Sequence, residues 1–97
     1  MDLANKIESE QLTMVNFHAT WCPPCVAMKP NLDEVVAEYG ESINYERIDI
    51  DKDPELAQQF GIRSVPTTML FKRGKLMWKH SGIVPSNELG KLVQENI

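Results

Sequence analysis

The chain has 97 residues, 42% of them apolar and 25% charged, and a formal net charge of −4. That length and balance suit one small globular domain spanning residues 1–97, with no room for a second core. The acidic balance argues against nucleic-acid binding by phosphate neutralisation, and no apolar run is long enough to cross a membrane.

Leu3 and Ile7, four residues apart among polar neighbours, predict a short first helix of about two turns. A strand follows over Leu12 to Ala19. Val15, Phe17 and Ala19 share one face and Met14 takes the other, as suits a parallel strand buried on both sides. Asn16 then falls inside, where a polar group needs a hydrogen-bond partner. From Pro23 to Tyr39, Val26, Leu32, Val35, Val36 and Tyr39 recur at helical spacing; Pro30 is expected to kink this helix and Gly40 to stop it. Ile43 to Ile50 alternates as a second strand. Asp53 and Pro54 form an N-cap and first-position pair for a short helix closed by Gly61. Thr67 to Lys72 and Lys75 to Ser81 read as an antiparallel hairpin around Arg73-Gly74. A last helix begins between Val84 and Ser86, with Leu89, Leu92 and Val93 as its apolar stripe. This order implies an α/β fold with a parallel crossover followed by antiparallel strands.

The only two cysteines, Cys22 and Cys25, sit where the first strand hands over to the second helix. A disulfide across so short a loop removes little chain entropy, so the pair is there for chemistry rather than as a staple. A helix N-terminus leaves N–H groups unpaired and carries positive partial charge, which favours a thiolate at Cys22. Cys22 would attack a disulfide of another protein, and Cys25, one turn away, would attack the resulting mixed disulfide and release the reduced product. Zinc also binds paired cysteines but needs two further ligands, and His18 and His80 fall on different strands, so no metal is expected. Pro23 and Pro24 have no N–H to offer the Cys22 sulfur, which leaves the Cys25 amide as the nearby donor. A thiolate with fewer donors is less stabilised, which favours a reductant over an oxidant. Trp21, beside the nucleophile, reads as an exposed rim residue, and Trp78 on the hairpin as packing.

The run Val15-Asn16-Phe17-His18-Ala19-Thr20-Trp21-Cys22-Pro23-Pro24-Cys25, followed by Pro30, Gly61-Ile62-Arg63-Ser64-Val65-Pro66-Thr67, Phe71-Lys72-Arg73-Gly74 and Gly82, resembles the thioredoxin family over nearly the whole chain from Met14 onward. The resemblance implies the thioredoxin fold. Its three layers, α/β/α, enclose a four-stranded mixed sheet in the order 43–50, 12–19, 67–72, 75–81. The family's usual first strand is lacking, since too few residues precede Leu3. The implied activity is a protein-disulfide reductase with no bound cofactor, acting on disulfide-containing client proteins and recharged by a thioredoxin-reductase-like electron donor. Pro66 matches a proline that the family holds in cis facing the disulfide, where it keeps metal ions off the thiols. An extended client peptide would pair with the exposed Val65 backbone, with Trp21, Ile62, Val65, Gly82 and Ile83 as an apolar rim.

Four positions depart from the family pattern: Pro23 replaces a glycine, Asn16 a buried aspartate, His18 a tryptophan and Arg47 a lysine. In the family the aspartate takes the proton of the resolving cysteine; an amide does not titrate in that range, so resolution would fall to water or to an unassigned group. His18 is expected to hydrogen-bond Asp51 rather than relay a proton. For Arg47, a pairing with Asn16 and an exposed position among nearby acids are both open. Ile43 to Ile50 would form an exposed sheet edge, but Glu46 and Asp49 discourage pairing there, so a monomer is expected. Met1 to Lys6 lacks the apolar core of an export signal, which makes a cytoplasmic home the default and a periplasmic one the outcome if such a signal has been removed. Two alternatives stand beside the reductase. One is an extracytoplasmic oxidoreductase of the cytochrome-c-maturation type, where Cys-Pro-Pro-Cys is also at home. The other is a non-catalytic binding module whose Pro66 groove recognises a partner.

Overall fold

The strand β1 (Leu12–His18) is buried from Leu12 through Phe17, because its side chains are apolar on both faces and helices cover each. A computed structural model describes residues 2–97. Around β1 the chain runs α1 (Leu3–Glu8), α2 (Pro23–Tyr39), a 3-10 turn (Gly40–Ser42), β2 (Ile43–Asp49), α3 (Pro54–Gln59), β3 (Thr67–Lys72), β4 (Lys75–Ser81) and α4 (Ser86–Asn96). Among the described residues the sheet has four strands in the order β2-β1-β3-β4, which leaves β2 and β4 at its edges. The β1–β2 pair is parallel and the other two are antiparallel.

Alternation along the strands sorts the core into two layers. On one side Leu12, Met14 and Leu70 pack against Met28 and Leu32 of α2 and Leu89 and Val93 of α4. Trp78 is half-buried against this layer, as the packing reading expects. On the other side Val15, Phe17, Ile48, Met69 and Phe71 meet Leu3 of α1, with Leu56 and Phe60 beside them. The Phe60 ring lies 5.4 Å from Phe17 and 6.0 Å from Phe71, distances typical of tilted and edge-on aromatic pairs.

Local signals explain most element ends. Asp53 caps α3 by accepting from the Leu56 amide at 3.3 Å, with Pro54 in the first turn. Arg73 and Gly74 both have positive φ, 55° and 80°, as a two-residue hairpin of the primed type requires. Their amides donate to Ser9 and Ile7 carbonyls at 3.0 and 2.8 Å, so the hairpin tip satisfies the end of α1.

Other ends differ from the sequence reading. The strands stop at His18 and Asp49, one residue early: the Ile50 amide makes the last parallel bond, to the His18 carbonyl (2.9 Å), and Asp49 Oδ1 then turns the chain by accepting from the Asp51 amide (2.8 Å). Gly40 does not close α2 in a left-handed cap; at φ −58° it continues the right-handed path into the 3-10 turn. The helix runs on through Pro30 without a break in its assignment.

Leu70, fully buried between β1 and the α2–α4 layer, is expected to lose about 2–5 kcal/mol of stability on Leu70→Ala. Leu76→Ala on β4, where Leu76 is exposed, should cost less than about 0.5 kcal/mol. Urea unfolding of both variants against wild type checks the contrast.

Candidate active site

The buried strand β1 ends by delivering Cys22 to the N-cap of α2. Cys22 and Cys25 are joined in a disulfide with Cα atoms 5.2 Å apart, and both are nearly inaccessible, at 3% and 1% exposure. Pro23 and Pro24 fill the first two helical positions, so the Cys25 amide is the one that reaches the Cys22 sulfur, at 3.2 Å. Across from it the Val65–Pro66 bond is cis, and the Val65 carbonyl oxygen lies 3.7 Å from Cys22 Sγ. The Pro66 carbonyl accepts from the Gly82 amide at 2.8 Å. Gly82 sits at φ 109°, a conformation open to glycine and strained for other residues.

In front of the disulfide a groove of about 330 Å³ brings together Trp21, Cys22, Pro23, Pro24, Ile62 and Val65. Gly82 and Ile83, also expected at this rim, lie outside its lining, although Ile83 is 47% exposed. Ile50, Arg63 and Ser64 line it as well, and the sequence reading did not single them out. Trp21 stands 66% exposed, held by its indole N–H donating to Asp51 Oδ2 at 2.7 Å. That bond replaces the expected one between His18 and Asp51. A signal for Ile50 and Asp51 was present: they follow the C-terminal end of β2, which in a parallel pair lies beside the end of β1, where sites of open α/β sheets gather.

Behind the disulfide lies a polar row. The register sets Asn16 opposite Arg47 on β2 and Thr68 on β3. Asn16 is fully buried; its Nδ2 donates to Thr68 Oγ1 at 3.0 Å and its Oδ1 accepts from Arg47 Nε at 3.2 Å. Arg47 Nη2 also donates to the Cys25 carbonyl at 3.2 Å. Of the two placements open for Arg47, the structure shows the pairing with Asn16. A second groove, of about 500 Å³, opens here and is lined by His18, Cys25, Arg47, Lys29 and Asp33, among others. Burial lowers the His18 pKa from its ordinary 6.5, and the Arg47 and Lys52 charges lower it further, against a smaller opposing pull from Asp49. On β2, burial pushes the Tyr45 hydroxyl up to about 12.

Among the described residues no group of three or more His, Cys, Asp or Glu could hold a metal ion, and no helix is long and apolar enough to cross a membrane. What the disulfide does have is a helix N-terminus under it and an open groove in front of it. A dithiol so placed defines a thiol–disulfide oxidoreductase.

The sequence pattern named Thioredoxin matches residues 2–95, and the chain belongs to the thioredoxin family. It is 33% identical to thioredoxin 2 of Chlorobaculum tepidum, covering 97% of this chain and 86% of that one. It is 39% identical to the thioredoxin of Pyropia yezoensis, covering 87% and 78%. Among solved structures, the Malassezia sympodialis thioredoxin superposes with a TM-score of 0.85 at 26% identity, over 97% of this chain and 82% of that one. The fold is therefore the thioredoxin fold, and the activity is protein-disulfide reduction by exchange through Cys22 and Cys25.

Two outcomes follow from the polar row. Asn16→Ala removes the acceptor of Arg47 and the donor to Thr68, and is expected to cost about 1–3 kcal/mol by denaturant unfolding, the penalty for an unpaired buried group. His18 has a folded pKa below its unfolded one, so the unfolded state takes up its proton first as pH falls. The associated loss of stability begins near pH 6.5 and levels off below the folded pKa. Unfolding curves of His18→Gln should lack that loss, and an unchanged acid profile would contradict the assignment.

Proposed function

We propose that Cys22 is the attacking thiol and Cys25 the resolving one, in a reductant that acts on disulfide-containing client proteins. The observation that supports this reading is that the two cysteines line different grooves. Cys22 lines the front groove with Trp21, Ile62 and Val65, while Cys25 lines the groove behind. A client strand laid along the front groove would pair with the Val65 backbone beside Pro66 and present its disulfide to Cys22 first. In the reduced protein the Cys22 thiolate bonds to one client sulfur and the other client sulfur leaves with the electron pair. Cys25 then bonds to Cys22, the Cys22–client bond breaks, and two electrons have passed to the client.

Reduction is favoured over oxidation because a single amide, that of Cys25, supports the Cys22 sulfur between two prolines. Asn16 and Arg47 support the site from behind, and Ile83 and Gly82 extend the rim for longer clients. A reductase of the thioredoxin-reductase kind would return the disulfide to the dithiol, with no bound cofactor on this chain. This reading places residues 1–97, as one domain and one monomer, in cytoplasmic electron transport and cell redox homeostasis.

The test uses Cys22→Ser and Cys25→Ser with insulin as a model client. Cys22→Ser should abolish turnover, and Cys25→Ser should accumulate a stable mixed disulfide visible by non-reducing electrophoresis. Equal trapping by both variants would overturn the roles, and an inert wild type would favour a binding module.

A further inference from the structure

The resolving step makes a demand that the residues named so far do not meet. Cys25 reacts as a thiolate, so its thiol proton needs a destination while the sulfur is still shut away from bulk water. Cys25 is 1% exposed, and its outlet other than the disulfide is the groove behind. The guanidinium of Arg47, which bonds the Cys25 carbonyl, and the amide of Asn16 behind it are not proton acceptors near neutral pH. Two side chains on the groove wall have lone pairs that can accept a proton, the Asp33 carboxylate and the His18 imidazole. Both oxygens of Asp33 already accept from Lys29 Nζ, at 3.0 and 2.8 Å. The imidazole of His18 has no hydrogen bond to Asp51, whose Oδ2 is taken by Trp21.

We propose that His18 accepts the Cys25 proton, through water held in the rear groove, when Cys25 resolves the mixed disulfide. This rests on the assignment of Cys22 as attacking and Cys25 as resolving thiol. In the step, the Cys25 S–H proton passes to an imidazole nitrogen and the Cys25 sulfur bonds to Cys22 Sγ. The Cys22–client bond breaks, and the client sulfur leaves as a thiolate that takes a proton from solvent. His18 afterwards returns its proton to solvent, so protons and electrons balance.

The groups that face His18 fit this task. Arg47 and Asp49 come from β2, Lys52 and Asp53 from the turn after it, and Lys29 and Asp33 from α2. Burial first, then Arg47, and last Lys52 lower the His18 pKa against an opposing pull from Asp49, which favours the neutral imidazole that can accept. Arg47, with Nη2 on the Cys25 carbonyl, brings a fixed positive charge to the residue whose sulfur must become a thiolate.

Stopped-flow reaction of the reduced protein with a symmetrical nitrophenyl disulfide separates the two steps, since each releases one coloured thiolate. His18→Gln should leave the first release unchanged and slow the second by about tenfold or more at neutral pH. The second release in wild type should hold a plateau between the His18 and Cys25 pKa values. In His18→Gln it should instead fall by about tenfold per pH unit over that range, as expected when only preformed thiolate reacts, and added imidazole should restore it. A second release with the same rate and pH profile in both proteins overturns the proposal, as does an equal slowing of both releases. If Cys25→Ser still gives two releases, the thiol roles themselves fail, and the inference with them.

Discussion

The amide of Asn16 lies in the middle of the central strand with no access to water, and each half of it is committed to a different neighbour. A buried amide left without partners costs roughly 1–3 kcal/mol per group, so β2, β1 and β3 hold one register at this row. Through Arg47 the same row reaches the Cys25 carbonyl, which ties the sheet to the first turn of α2. The position of the disulfide over the sheet therefore depends on a neutral hydrogen-bonded row rather than on a buried acid–base pair. That choice avoids the desolvation of a carboxylate beside the dithiol, and it removes from the interior the one group that would have exchanged protons there.

With Asn16 neutral, the two sides of the disulfide separate by chemistry. The front groove is lined mostly by apolar side chains: Trp21 is pinned outward by Asp51, and the Val65 carbonyl faces the Cys22 sulfur. The rear groove sets His18, Lys29, Asp33 and Arg47 among the apolar side chains of Ala19, Val26 and Pro30. With the proposed thiol roles, client binding would use the front groove and proton handling the rear one.

Much of this was legible before any coordinates. The two-faced apolar run of β1, the Asp53-Pro54 start of α3 and the Arg73-Gly74 turn are local signals, and each element formed where those residues placed it. The cysteine pair at a strand-to-helix junction disclosed the chemistry. Contacts decided by which strand ends meet in space were not legible. Asp51 turned to Trp21 rather than His18, since the parallel β1–β2 register brings the residues beyond both strand ends together. Gly40 stops α2 after Tyr39 as expected, with a right-handed cap that leads into a 3-10 turn before β2. The rear groove assembles side chains from β1, α2 and β2 with no shared spacing, so no window of sequence displays it.

The way the Arg73-Gly74 tip closes α1 bears on how the molecule is made. The carbonyls of Ile7 and Ser9 take their partners from a hairpin that emerges from the ribosome only after most of the chain. Leu3, which buries against Phe17 and Phe71, waits for the same late segment. Until the hairpin is synthesised, the first helix has an unfinished end and half of its apolar seat is missing. A nascent protein stalled before β3 would hold α1 through Thr13 of β1 and Glu46 of β2, without the hairpin that closes its end.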